Sequence, residues 1–279
     1  QGESGGNVNA YTVGYTTTSA DVIHTLQVVD KQATLLERCV VNLLMEQEQA
    51  IPPAYIQDIE SDSRQPIYMQ VANSRPMQDV SGDIYRPMTA KIATGLARIH
   101  AANRTKCPDW LPKVADNYMR ELYLEQTQIV WDRCMQDNRF YAEFGIYDKG
   151  LKTALEQFLK LLTHLTDEGD TLTLLNSDLH PDHIRLLTDD QPVFIDWEQA
   201  CYGSLYLDLV NYFSIETVLL YRDALADAGY EIPTAAFIER FREVGHFMGL
   251  RYFEVGLRSW EAGGEQWQQG RWFFHYCLT

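Results

Sequence analysis

The sequence predicts an α+β fold of two lobes: a small β-rich lobe over residues 1–72 and a larger, mostly helical lobe over residues 73–279. Three observations predict it. Short runs rich in Val, Ile, Tyr and Thr fill the chain up to about residue 72. Beyond Arg75, apolar residues recur at helical spacing over long segments. One cluster of short apolar runs separated by turn residues, Thr171–Trp197, interrupts those helices.

Taken in order, GESGGNVNA is a loop, and AYTVGYTTTS and VIHTLQVV are the first two strands. QATLLERCVVNLLMEQEQ is a helix, because Leu35, Leu36, Cys39, Val40, Leu43 and Leu44 line one face. It ends before Pro52-Pro53, which cannot continue it. AYIQDI and QPIYMQVA are strands around the turn ESDSRQ, with a hinge near Met69–Arg75. MTAKIATGLARIHAAN carries Ile92, Leu96 and Ile99 on one stripe and is the next helix; NYMRELYLEQTQIVWDRCM and YDKGLKTALEQFLKLLTHL are two more. After the β insert, the chain from LYLDLVNYF onward is expected to be helical to its end.

A net charge of −16 argues against nucleic acid and anionic membrane as partners, since both need a Lys/Arg surface. No apolar run reaches the roughly 18 residues of a membrane span. The opening QGESGGNVNA lacks a basic segment followed by an apolar one, so no signal peptide is expected. Five scattered cysteines without CxxC spacing speak against a zinc site or a disulfide framework, and a reducing cytoplasm is the expected setting. Oligomeric state is not readable.

The densest chemistry lies between Ser177 and Glu198. Asp178 stands in the loop NSDLHPDHIRLL, His183 follows five residues later, and VFIDWEQA brings Asp196 after a turn at Thr188–Pro192. Two strands joined by that turn return Asp196 to the neighbourhood of His183. One carboxylate is suited to accept a proton from a hydroxyl, while the others offer hard oxygen ligands to a divalent cation.

N-S-D-L-H-P-D-H followed by I-D-W-E resembles the H-G-D-x-H-x-x-N and I-D-W/F-E signature of the aminoglycoside phosphotransferase and choline kinase family, whose fold is protein-kinase-like. The resemblance implies a small-molecule kinase that moves the γ-phosphate of ATP or GTP to a hydroxyl. It makes Asp178 the catalytic base and Asp196 a metal ligand. His183 falls where the family usually has a metal-binding Asn; macrolide phosphotransferases and one branch of aminoglycoside kinases look similar in carrying His there. The implied ion is Mg²⁺, or Mn²⁺ given the imidazole. Asn176 and Ser177 depart from the pattern, and Asp208 in YLDLVNYF resembles a buried aspartate that supports the catalytic loop.

By the same resemblance, Gly5, Gly6 and Asn7 form a phosphate-covering loop and Glu37 partners a phosphate-binding lysine. That lysine's place falls on His24, while Lys31 lies nearer the helix, and the two stay open. PIYMQVA is either the hinge receiving a purine, with contacts at Met69–Val71, or an edge strand. The tail residues Trp260, Trp267, Trp272, Phe273 and Phe274, with Glu261 and Glu265, either line a cleft for a cationic acceptor or pack the core. Two other classes remain. A nucleotide-binding pseudokinase fits the lack of a clear lysine. A metal hydrolase fits less well, because HPDH lacks the helical HExxH arrangement.

Overall fold

Strands β1 (Val8–Thr16) and β2 (Ile23–Ala33) form a long antiparallel pair, with Val8 opposite Lys31 and Thr16 opposite Ile23. The computed structural model describes residues 8–16, 23–70, 74–114, 126–167, 169–187 and 189–263. Strand β4 (Gln65–Met69) pairs with the second half of β2, and β3 (Ala54–Ile56) covers its other edge, giving an antiparallel sheet in the order β1-β2-β4-β3. The second strand thus runs four residues beyond the expected Val29, and helix α1 (Leu35–Glu46) starts at Leu35 rather than Gln32. Thr34 sets that boundary. Its backbone is extended and its hydroxyl accepts the Glu37 N–H at 3.2 Å, the N-cap arrangement that stops a strand and begins a helix. Lys31 consequently sits on a strand.

Helix α1 buries Val40, Val41 and Leu44 against the sheet. Arg38 on the same helix is fully buried, and its guanidinium donates to the carbonyls of Ala33, Ser63 and Ser61. A charge in that position is tolerated because carbonyl dipoles meet its two terminal nitrogens, although Nε is buried without a partner, and it pins the β3–β4 connection to the helix.

The helical portion is built around α2 (Tyr85–Asn103), whose buried Ile92, Leu96 and Ile99 form the predicted stripe. Gly95 lies where α2 crosses the rest of the core: an added Cβ would come within 3.2 Å of both the Ala50 Cβ and the Phe194 ring. Helices α3 (Gln126–Cys134), α4 (Asn138–Phe144), α5 (Asp148–Asp167) and α8 (Thr234–Ala262) surround an aromatic cluster. In it, the Trp131 ring stands 5.2 Å from Phe140 and 5.5 Å from Phe253. Truncating the fully buried Trp131 to Ala would cost about 3–5 kcal/mol.

The helical run expected from residue 205 onward is divided, over the described residues, into α6 (Tyr206–Leu209), α7 (Val218–Asp227) and α8. Gly229, at φ +91°, and Pro233, immediately before α8, account for the second break. The β insert forms two small antiparallel sheets. Strand β6 (Leu172–Leu175) pairs with β9 (Cys201–Ser204). Strand β7 (Ile184–Leu186) lies between β5 (Arg75–Pro76) and β8 (Pro192–Phe194). The architecture is the α+β, two-lobed arrangement read from the sequence. The 72/73 boundary falls where residues 71–73 lie outside the described segments.

Candidate active site

Three segments converge at the junction of the lobes. The first is the loop after β6, whose apolar residues anchor it in the core. Ser177 adopts a left-handed backbone, φ +65°, a conformation costing a non-glycine residue roughly 1–2 kcal/mol. Fixed hydrogen bonds offset that cost. The N–H groups of Asn176 and Ser177 donate to the two oxygens of Asp208, each at 2.8 Å, and the Ser177 hydroxyl lies 2.9 Å from Cys201 Sγ. The Asn176 amide donates to the carbonyl of Asp196 at 3.0 Å, and its oxygen accepts the Asp178 N–H at 3.2 Å. The departures Asn176 and Ser177 are therefore part of the bracing, and Asn176 ties the Asp178 loop to the Asp196 segment.

The second segment is the β7–β8 hairpin. Ile184 pairs with Phe194, and the Ile195 N–H donates to the His183 carbonyl at 3.0 Å, returning Asp196 to His183 as the spacing predicts. His183 Nδ1 stands 2.8 Å from the carbonyl oxygen of Asp178. A carbonyl only accepts, so Nδ1 carries the proton. In neutral His183, Nε2 then keeps its lone pair, 3.5 Å from Asp196 Oδ2. Asp196, like Ser177, has a left-handed backbone, at φ +59°. The His180 ring centroid lies 3.7 Å from that of His183, the rings tilted by 40°, and burial, followed by His183's charge, pushes the His180 pKa down.

The third segment comes from the β lobe. Lys31 Nζ donates to Glu37 Oε1 at 2.8 Å and to Asp196 Oδ1 at 2.9 Å, so one ammonium joins β2, α1 and the hairpin. Glu37 Oε1 also accepts the Trp197 N–H at 3.2 Å, while its Oε2 is buried without a hydrogen-bond partner. Burial alone would lower the Lys31 pKa, but the Glu37 and Asp196 carboxylates outweigh it and the net direction is upward. Burial likewise works to raise the Asp196 pKa, yet the Lys31 ammonium prevails and holds it below the ordinary 3.8. Burial pushes the Glu37 carboxyl up against the pull of Lys31.

The predicted residues thus divide. Asp178, His183, Asp196, Lys31 and Glu37 meet. His24 stands on β2 opposite Tyr15, seven residues before Lys31 and roughly 23 Å away along the strand. Met69 is buried at the end of β4, between Val29 and Ala54, and the N–H of Gln70 is taken by the Pro53 carbonyl at 3.0 Å. Gly5, Gly6, Asn7 and Val71 lie outside the described residues. Trp260 packs edge-on against Phe140 and Phe144, and Glu261 pairs with Arg133 through both carboxylate oxygens. The other tail aromatics and Glu265 also lie outside the described residues.

Sequence reasoning passed over Glu198, which sits in the quoted I-D-W-E run. It is ion-paired with Arg64 of the β3–β4 connection and lies with Glu37 and Asp196 in a carboxylate group whose ligand atoms fall within 4.8 Å. It also passed over His180, grouped in the same way with Asp178 and His183.

A β lobe whose strand lysine is clamped between a helix glutamate and an aspartate of the helical lobe, beside a loop aspartate, defines a protein-kinase-like phosphotransferase with an alcohol group as acceptor. The model of the phosphotransferase enzyme family matches residues 41–241, and the chain belongs to that family. No curated protein matches it in sequence. Among solved structures, it is similar to spectinomycin phosphotransferase in complex with ADP and spectinomycin, at 14% identity and TM-score 0.61 over 99% of this chain and 88% of that one. It is also similar to the choline kinase of Streptococcus pneumoniae, at 12% identity and TM-score 0.53 over 95% and 89%. A third similar structure is macrolide 2′-phosphotransferase from Brachybacterium faecium, at 15% identity and TM-score 0.51 over 96% and 93%. No helix among the described residues is long and apolar enough to cross a membrane.

Proposed function

We propose that the chain transfers the γ-phosphate of a nucleoside triphosphate, ATP or GTP, to a hydroxyl of a small cationic acceptor, a macrolide- or aminoglycoside-type antibiotic, in the cytoplasm. The observation that carries the reading is Lys31 Nζ held within 2.9 Å of carboxylates from both lobes, beside Asp178 and His183. In this reading Lys31 meets the α- and β-phosphates, with Glu37 holding it in place. Asp178 is the base: its carboxylate orients the acceptor hydroxyl and takes its proton as the oxygen attacks the γ-phosphorus.

The donor set fits a divalent cation. The fixed Nδ1–H tautomer aims an imidazole lone pair at the space in front of Asp196 Oδ2, and the other oxygen of Asp196 is tied back by Lys31. His183 and Asp196 are thus the residues to hold Mg²⁺ or Mn²⁺, and the bound ion neutralises charge on the phosphates. The Lys31 bridge favours an active kinase over a pseudokinase, since a binding module needs no such clamp next to a base.

The acceptor class rests on the net charge of −16, which enriches cations near an acidic cleft, and on the His-type motif. The solved relative holding ADP and spectinomycin is consistent with adenine nucleotide and a cationic antibiotic. The test is phosphate transfer from ATP and from GTP to macrolides and aminoglycosides, with choline, ethanolamine and neutral sugars as controls. Preference for a neutral sugar over every cation would overturn the acceptor class, and transfer to none of them would return the pseudokinase reading.

A further inference from the structure

Beneath the catalytic loop lies a chain of polar side chains that the chemistry above does not use. His100 on α2, Asp208 on α6 and Tyr221 on α7 are at most 1% exposed. The Tyr221 hydroxyl stands 2.7 Å from His100 Nδ1, and His100 Nε2 stands 3.3 Å from Asp208 Oδ2. Asp208 in turn receives the amides of Asn176 and Ser177.

The donor roles can be assigned. A carboxylate only accepts, so Nε2 of His100 carries a proton and donates to Asp208. In neutral His100, Nδ1 is then an acceptor, and the Tyr221 O–H donates to it. Burial, followed by the Asp208 charge, raises the Tyr221 pKa well above its ordinary value, which keeps that donor protonated. Donation thus runs from α7 through α2 to the Asp208 carboxylate, which accepts from the two loop amides on its other side.

We infer that His100 and Tyr221 are positioning residues for phosphoryl transfer: through Asp208 they hold Ser177 in its left-handed conformation and so aim Asp178. The inference rests on the reading of Asp178 as the base. Three anchors are needed because a carboxylate on a short side chain is free to rotate, and only one rotation faces both oxygens to the two loop amides. The contact from His100 selects that rotation, and Tyr221 selects the His100 tautomer that can make it. A lone buried histidine on an apolar helix face is ordinarily a packing residue; here both ring nitrogens are engaged, and the far end of the chain is the loop itself.

Three variants test this: His100→Leu, His100→Gln and Tyr221→Phe. Gln keeps a donor for Asp208 and an acceptor for Tyr221, whereas Leu keeps only bulk. His100→Leu is expected to lower kcat about 10- to 100-fold, the scale of a lost hydrogen bond to a charged group, with KM for nucleotide unchanged. His100→Gln should recover most of that loss. Tyr221→Phe, the mildest change and the most certain to fold, should cost several-fold alone and add nothing to His100→Leu.

In parallel, hydrogen exchange at the Asn176 and Ser177 amides should quicken in His100→Leu and in Tyr221→Phe, while amides of α3 keep their protection. Equal losses in Leu and Gln, multiplicative effects of the two sites, or unchanged exchange at the loop would overturn the inference. Should the unmodified protein transfer phosphate to no acceptor, the failure lies with the functional reading. The exchange measurement then decides the positioning role alone: faster loop exchange supports it, and unchanged exchange refutes it.

Discussion

Replacing Lys31 by Met removes an ammonium that joins the lobes while preserving most of the stem's volume. The Lys31 side chain is 13% exposed and that of Glu37 only 2%, so the change leaves a carboxylate with little access to water. The cost at neutral pH has a ceiling, because Glu37 can take a proton instead of remaining charged. Neutralising a carboxyl of ordinary pKa 4.5 at pH 7 costs about 3.4 kcal/mol at 1.36 kcal/mol per pH unit; at pH 5 it costs about 0.7.

The signs follow from the shifts. Lys31 is raised, so its contribution is complete below its unfolded pKa of about 10.5 and is lost only as pH climbs through the higher folded value. Asp196 is lowered, so its contribution is present above its unfolded pKa of 3.8 and is lost only as pH falls through a folded pKa lower still. Neither changes between pH 5 and 7. Glu37 is already raised by burial, and its stabilising partner is Lys31, so removing Lys31 lets the carboxyl rise further. The stability deficit of Lys31→Met should therefore be about 3 kcal/mol at pH 7 and shrink below about 1 kcal/mol at pH 5. Urea denaturation of both proteins across that range measures it. A deficit that does not change with pH would mean that Lys31 contributes through its stem alone, and the clamp argument would fail.

Asp178→Asn should lower turnover by about 10²–10⁴-fold while nucleotide binding, followed by calorimetry, is retained. With His183 and Asp196 as ligands, Mn²⁺ should restore activity at concentrations where Mg²⁺ does not. Apparent metal affinity should fall as pH drops, because an imidazole must be deprotonated to bind a metal. Equal behaviour of the two ions in a metal titration would remove the imidazole from the coordination set. Ser177→Gly should be tolerated to within about 1 kcal/mol, because glycine adopts the left-handed conformation freely, whereas Ser177→Val should destabilise by more than about 2 kcal/mol. Thermal melts of the pair give the comparison, and equal effects would dismiss the backbone as the constraint.

What the sequence made legible follows how close in the chain the interacting groups lie. Asp178, His183 and Asp196 are joined by one loop and one hairpin, so their meeting could be read from spacing and turn chemistry. Lys31 and Asp196 are 165 residues apart, and no spacing rule connects them. The ambiguity between His24 and Lys31 had a local cause. Asp30-Lys31-Gln32 is a polar run that masks the end of β2, and only the Thr34 cap shows that the strand continues through it. The small elements α4 and β9 went unread for a related reason. Each is at most seven residues, too short for its periodicity to stand out, and β9 contains Gly203, where an added Cβ would come within 2.6 Å of Val114.

The departures from the signature show how a motif encodes backbone rather than side chain. The family pattern has Gly before the catalytic Asp, and here the same place is Ser177 at φ +65°. Glycine adopts that conformation without a Cβ penalty. Serine adopts it because the Asp208 carboxylate holds its N–H and Cys201 sits at its hydroxyl. Asp196 has a left-handed backbone too, at φ +59°, and its carbonyl is held by the Asn176 amide. The two strained residues therefore flank the site and are bound to each other's segments. A substitution that looks like loss of the motif at residue level keeps its geometry, provided that Asp208 is held in the rotation that both amides require.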